Sequence, residues 1–177
     1  VGEIAGYEKG DYVVDVCSAP GGKALHACDK LGGSGIVDAR DVSDMKMNLI
    51  VENKDRMHAD NLQIKVWDAR IKDESIIQKA DIVLLDIPCS GLGVIGRKPE
   101  IKYRLAQDID SFAELSNLQK EIADCVYEYV KPEGTLIYST CTLRKEENEQ
   151  MVSYLVQNHG FTLESLNPYL PMELQNE

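Results

Sequence analysis

The sequence predicts a doubly wound α/β domain built on a mostly parallel sheet. Three observations carry that prediction. Apolar runs rich in β-branched residues alternate with helix-period segments through five units. A Pro20-Gly21-Gly22 break follows the first apolar run and opens the first helix. Acidic residues close several of the runs, and in a parallel sheet such ends share one edge, where ligands bind.

Val13-Val14-Asp15-Val16 reads as a buried strand, and Lys23 to Leu31 as the helix after it. The glycine pair between them lets backbone approach a ligand closely, with amide donors facing it from the helix start. Val1 to Gly10 reads as a short approach segment, the remnant of a linker. Gly32-Gly33-Ser34-Gly35 stops the first helix. Ile36 to Arg40 is a second strand ending at Asp41, after which Ser43 caps a helix to about Met57 with Met47, Ile50 and Val51 on one face. Ile64 to Trp67 is a third strand ending at Asp68, and Ile76-Ile77 marks a short helix. Asp81 to Asp86 is a fourth, fully buried strand. The loop from Ile87 to Arg104 is long and rich in glycine and basic residues. A helix from Ser111 to Val130 buries a stripe that includes Leu115, Leu118, Ile122 and Val126. Pro132-Glu133-Gly134 turns into a fifth strand, Thr135 to Ser139. The last helix spans Glu146 to Asn158, with glutamates in its first turn and Gly160 after it. Phe161 to Leu166 is a candidate sixth strand.

A chain of 177 residues suits a single domain, 1–177, long enough to bury roughly 70% of its unfolded surface. With 19 basic and 30 acidic side chains the net charge is −11. That balance argues against a free-standing nucleic-acid binder and leaves open an RNA enzyme whose binding surface lies on another domain. No apolar run approaches a membrane span and no signal peptide opens the sequence, so no membrane partner is expected. The five cysteines, at 17, 28, 89, 125 and 141, form no C-x-x-C pair. They read as reduced, cytoplasmic thiols with no metal site among them.

Asp41, at the end of the second strand, stands where an acid accepts hydrogen bonds from ribose hydroxyls. Asp38 is its competitor, but it lies within the strand. Asp68 stands where a carboxylate can accept from an adenine amino group, although turn-forming and helix-capping aspartates are common in such places. A phosphate loop would need glycine at Cys17 and a hydroxyl at Ala24, and no G-x-G-x-x-G is present. The expected ligand is therefore an adenosine without a pyrophosphate. Cys89 and Cys141 each fall just beyond a strand, where a thiolate can attack an electron-poor ring carbon. At an ordinary pKa of about 8.5 only a few per cent would be ionised at neutral pH. Cys28 and Cys125 sit in helical patterns and read as core.

Five motifs, Asp15-Val-Cys-Ser-Ala-Pro-Gly-Gly-Lys23, Asp86-Ile-Pro-Cys-Ser-Gly91, Gly96-Arg-Lys-Pro-Glu-Ile-Lys102, Tyr138-Ser-Thr-Cys141 and Glu146-Glu-Asn148, carry a resemblance. From about Tyr12 to Pro171 the sequence resembles the S-adenosyl-L-methionine-dependent RNA cytosine-5 methyltransferases. It is most similar to the bacterial branch acting on small-subunit (16S) ribosomal RNA. The resemblance implies a Rossmann-like methyltransferase fold. Cys17, Ser18, Ala19, Pro20, Gly21, Gly22 and Lys23 would cradle the methionine part of the cofactor, with Asp41 at the ribose, Asp68 at the adenine and Asp86 beside it. Cys141 would be the nucleophile adding to carbon 6 of cytosine, Asp86 would hydrogen-bond the N3 edge, and Cys89 would assist release. Arg97, Lys98, Lys102 and Arg104 would hold the RNA backbone.

Two departures stand out. Pro132-Glu133-Gly134 replaces a turn that usually carries two glycines. The family continues past Pro171 into a further strand that this sequence, ending at Glu177, does not contain, and it has an upstream RNA-binding domain. The expectation is a catalytic-domain fragment with five core parallel strands, an incomplete segment over 161–177, and an open fifth-strand edge prone to association. Two other functions compete. An amino-methyltransferase would want an aromatic where Cys89-Ser90 stands, and an inactive adenosine-binding module would have no use for the paired cysteines.

Overall fold

The computed structural model describes residues 1–107 and 111–175, without the side chains of 104–107, 111 and 174. Five strands, β1 (Tyr12–Asp15), β2 (Ile36–Asp41), β3 (Leu62–Val66), β4 (Ala80–Asp86) and β5 (Val130–Ser139), form one sheet in the order β3-β2-β1-β4-β5. Every pairing is parallel. The order reverses between β1 and β4, so a crevice opens there at the carboxyl edge.

Helices cover both faces, as the alternating pattern predicts. On one face α1 (Gly22–Leu31) and α2 (Asp44–Met57) pack Leu25, Leu31 and Ile50 against Val13, Val37 and Ala39. On the other, α4 (Ser111–Val126) and α5 (Glu149–His159) pack Ile122, Val126, Met151 and Leu155 against Val14, Val83 and Leu85. Alternate residues of β1 therefore serve opposite cores, the consequence of a strand period of two. Ser43 caps α2, its side chain accepting from the Lys46 N–H. Residues 1–10 add Ala5 to the first core. Among the described residues no helix is long and apolar enough to cross a membrane.

Several boundaries differ from the sequence reading. The loop after β4 contains a helix, α3 (Glu100–Gln107), because Pro99 presets the turn and Ile101 is buried as its anchor. β3 begins two residues early, where Leu62 pairs with Val37. The predicted short helix at Ile76-Ile77 is a 3-10 turn, Glu74–Ile76, capped by Asp73. α4 stops at Val126, and Tyr127–Tyr129 tighten into a 3-10 turn leading directly into β5. β5 is consequently longer than predicted and bulged. Its register jumps from Ala80↔Val130 to Ile82↔Thr135, across a Pro132 that has no N–H to donate and a Glu133 at φ 64°. Residues 161–166 form no strand, although Phe161 packs on the second core.

One buried feature has no counterpart in the sequence reading. Arg40, on β2 and 2% exposed, donates to Asp38 (2.9 Å from Nε) and Asp73 (2.9 Å from Nη1). Lys65 reaches Asp73 at 2.7 Å, and the Tyr12 hydroxyl reaches Asp38 at 3.0 Å. Asp38 is thus committed to this cluster, away from the crevice.

Candidate active site

The loop after β1 is tied to β2 by two bonds. The Ser18 N–H donates to the Arg40 carbonyl at 2.8 Å, and the Ala19 N–H donates to Asp41 Oδ2 at 3.2 Å. The other carboxylate oxygen of Asp41 accepts the Ser43 N–H at 3.1 Å, linking the α2 cap to the same acid. Gly21, at φ 97°, turns the chain into α1 in a conformation that side chains resist, and space lies open above Gly22. Residues 17–23 thus form a tight turn into α1, tied to Asp41 at the end of β2.

Beneath that loop Asp15 is 1% exposed, and neither of its carboxylate oxygens makes a hydrogen bond among the described residues. The Ser18 hydroxyl and the Tyr7 hydroxyl are likewise buried and unpaired. The Ser18 hydroxyl and the Cys17 N–H lie near enough to favour the ionised carboxylate without forming a well-aligned hydrogen bond, and burial, reinforced by nearby Asp86, outweighs them and Lys23 and raises the Asp15 carboxyl to about 7. Burial also pushes the Cys17 thiol up to about 12, and its side chain packs on the second core. A buried acid without partners is a place where a ligand donor fits. Its sequence signal is one aspartate inside an apolar strand.

Across the switch point Lys23 Nζ meets Asp86 Oδ2 at 2.5 Å, while the Ser139 hydroxyl donates to Asp86 Oδ1 at 2.7 Å. Asp86 is therefore oriented from α1 and β5 at once. Beyond β4 and β5 the two predicted cysteines converge, with Cys89 Sγ and Cys141 Sγ 3.2 Å apart. The Cys141 N–H also points at the Cys89 sulfur, at 3.3 Å. Cys141 is exposed and Cys89 half-buried; burial pushes the Cys89 thiol up to about 11. Gly93 donates its N–H to the Cys141 carbonyl at 3.0 Å, and a Cβ there would meet that oxygen at 2.9 Å.

Arg97, Lys98 and Lys102 are exposed on the segment that follows. The side chain of Arg104 lies outside the described residues. Asp68, two residues beyond β3, is engaged by Arg70, whose Nη2 lies 2.6 Å from Oδ2 and whose N–H donates to Oδ1 at 2.9 Å. A concavity of about 650 Å³ near Gly33, His58 and Asn61 opens at the opposite edge of the sheet and takes in none of these residues.

Residues 5–175 match the profile of the family described as 16S rRNA methyltransferase RsmB/F. The chain belongs to that family. Among RsmB/F relatives, it is 38% identical over 148 residues to a probable ribosomal RNA small subunit methyltransferase B of Bacillus subtilis strain 168, covering 83% of this chain and 33% of the relative. The crystal structure of PH0851 superposes with a TM-score of 0.80 at 39% identity, over 84% of this chain and 33% of that one. NSun6 from Pyrococcus horikoshii, solved with SFG, superposes at 0.76 with 29% identity, over 93% of this chain and 41% of that one. The fold is the Rossmann-like methyltransferase fold, and the chain spans about a third of the length of the curated relatives it matches.

Proposed function

We propose that this domain methylates carbon 5 of cytosine in RNA, with small-subunit ribosomal RNA as the substrate class, through a transient bond between Cys141 and carbon 6. The observation that carries the proposal is the pair of sulfurs 3.2 Å apart, on adjacent strand ends beside Asp86. Simple methyl transfer to nitrogen or oxygen has no need of two thiols there.

The cofactor is S-adenosylmethionine, and it supplies the electrophilic methyl group that carbon 5 takes. The site fits it. Asp15 and the Ser18 hydroxyl, buried and unpartnered, suit the ammonium of its methionine part. The open space over Gly22 admits its backbone, and Asp41 has lone pairs left for two ribose hydroxyls. Asp68 would receive the adenine amino group once it shares its oxygens with Arg70. No phosphate cradle is called for.

Addition of the Cys141 sulfur to carbon 6 pushes electron density toward N3 and carbon 5. The proton that the Cys141 thiol gives up on adding passes to the N3 edge, where Asp86, held between Lys23 and Ser139, hydrogen-bonds it and so stabilises that density. After methylation a base removes the carbon 5 proton, the bond from Cys141 to carbon 6 breaks, and its electrons leave with sulfur. The Cys89 thiol, kept protonated at neutral pH by its raised pKa, sits where it can donate to the departing sulfur. Arg97, Lys98, Lys102 and Arg104 would position the RNA backbone, with an upstream domain supplying most of the affinity, since the domain itself is acidic.

The test is covalent capture. RNA containing 5-fluorocytidine, incubated with cofactor and the full-length protein, should yield a complex that survives a denaturing gel. Cys141→Ala should abolish it, whereas Cys89→Ala should form it and also accumulate adduct on ordinary cytidine. The reverse pattern would make Cys89 the nucleophile.

A further inference from the structure

Glu147 and Asn148 belong to a sequence motif that the chemistry above leaves without a role, and each brackets one cysteine. Glu147, fully buried, ends the 3-10 turn Lys145–Glu147 ahead of α5. Its Oε2 accepts the Ser90 N–H at 2.8 Å and the Gln119 side-chain amide at 3.2 Å. That amide also donates to the Pro88 carbonyl at 2.9 Å, so the residues before and after Cys89 are both held. Asn148 does the same for the other loop. Its Oδ1 accepts the Thr140 hydroxyl at 2.6 Å, and its Nδ2 donates to the Thr142 carbonyl at 3.1 Å. A Ser90–Thr142 hydroxyl contact at 2.7 Å joins the loops, and the Tyr138 hydroxyl anchors the Glu147 carbonyl to β5 at 2.5 Å.

Burying a carboxyl group is costly. Here Oε1 makes no hydrogen bond among the described residues and faces Arg144 Nε at 3.6 Å. A site with no exposure and no task beyond packing is served as well by an apolar side chain. What the carboxyl adds is a fixed acceptor for the amide next to Cys89.

We infer that Glu147 is the positioning residue for Cys89, setting where that thiol meets the Cys141 sulfur, while its neighbour Asn148 positions Cys141. The inference rests on the covalent-adduct reading and divides its two halves between two adjacent residues. Glu147 governs release, and Asn148 governs capture.

The experiment follows both steps with the full-length protein, by time-resolved denaturing gels on ordinary and 5-fluorocytidine RNA. Glu147→Ala should slow release by about ten- to a hundredfold, the scale of a misplaced catalytic group. Adduct should then build up on ordinary RNA, with capture of 5-fluorocytidine RNA near the wild-type rate. Glu147→Gln, which keeps an oxygen for Ser90 and Gln119, should restore release. Asn148→Ala should slow capture instead. Equal slowing of both steps in Glu147→Ala, or failure of Glu147→Gln to restore release, overturns the assignment and leaves Glu147 a merely structural group. Should Glu147→Ala not fold, Gln119→Leu removes the bond to Pro88 and must show the same selective loss of release; wild-type release in that variant overturns the assignment too. Absence of any adduct from the wild-type protein on 5-fluorocytidine RNA overturns the adduct reading itself, and this inference with it.

Discussion

Two buried charge sites lie on opposite faces of the same sheet, and they are finished differently. At β2, Asp38, Arg40 and Asp73 are all buried, and each is paired. At the end of β1, Asp15 is just as buried and has no hydrogen-bond partner among the described residues. The first arrangement needs nothing from outside and is architecture. The second carries a desolvation cost that an incoming donor would offset, which is how a binding site would differ from a strut. Their proton linkage differs in sign as well. Burial works against ionisation of Asp73, yet hydrogen bonds from Lys65, Ser75 and Arg40 hold its carboxyl well below the ordinary range. Its stabilisation is therefore present above about pH 4 and lost as pH falls through the folded value. Asp15, raised to about 7, keeps its proton in the folded state, so the folded chain binds more protons than the unfolded one between about pH 4 and 7. Stability from that group falls as pH rises across that window, and the cost is complete above it.

The largest effect expected from this contrast is in the cluster. Arg40→Met would leave buried Asp38 with only the Tyr12 hydroxyl and strip Asp73 of its buried cation, leaving it Lys65 and Ser75, and should destabilise the protein by about 3–5 kcal/mol in denaturant unfolding. A triple replacement of Asp38, Arg40 and Asp73 by apolar residues should be far milder, because no orphan charge remains. A single variant as stable as the parent would mean the cluster is not the strut described here.

Asp15→Asn should act in the opposite direction. At pH 8 it removes an ionised, unpaired group and should stabilise the ligand-free protein by about 2–4 kcal/mol, while near pH 4 the gain should vanish. The same change should weaken binding of S-adenosylmethionine. Thermal unfolding at the two pH values, with calorimetry alongside, separates the outcomes. Stabilisation without loss of affinity would make Asp15 a flaw of the core and not a ligand group.

A smaller effect is expected at Asp41, which is buried and already accepts the Ala19 and Ser43 N–H groups. Asp41→Ala should cost about 1–3 kcal/mol of cofactor affinity, partly through ribose hydroxyls left unpaired and partly through release of the Ala19 N–H. Unchanged affinity by calorimetry would move the ribose away from the end of β2.

What the sequence made legible follows from periodicity and position. The strands at 12–15, 36–41 and 80–86, and the acids at their ends, were readable because apolar runs and strand ends are local properties. The convergence of Cys89 and Cys141 followed from the parallel topology. What stayed hidden was long-range and polar. Arg40 looks like a solvated strand-end residue until Asp73, 33 positions away, is brought beneath it. Gln119 sits in an ordinary helix stripe, and nothing local announces that it holds the Pro88 carbonyl. The start signal of α3 at Pro99-Glu100 is masked by the glycine-rich, basic stretch around it.

The smallest effect concerns Asp68, whose placement tests where the contrast between paired and unpaired acids stops being informative. Unlike Asp15, it is already satisfied, and the guanidinium of Arg70 holds its carboxyl below the ordinary range. Unlike Asp38, it is partly exposed, so its ion pair is screened by water and contributes little. On the proposed placement an adenine amino group would compete with Arg70 for the same two oxygens, so the net gain from Asp68 would be small. Asp68→Ala should weaken cofactor binding only about two- to fivefold, and Arg70→Ala should tighten it by a similar or smaller factor, on the scale of an exposed ion pair. Calorimetry with the demethylated cofactor on both variants reads the difference in sign. If Arg70→Ala weakens binding as much as Asp68→Ala does, the intact pair is the element that meets the adenine, and the free carboxylate is not.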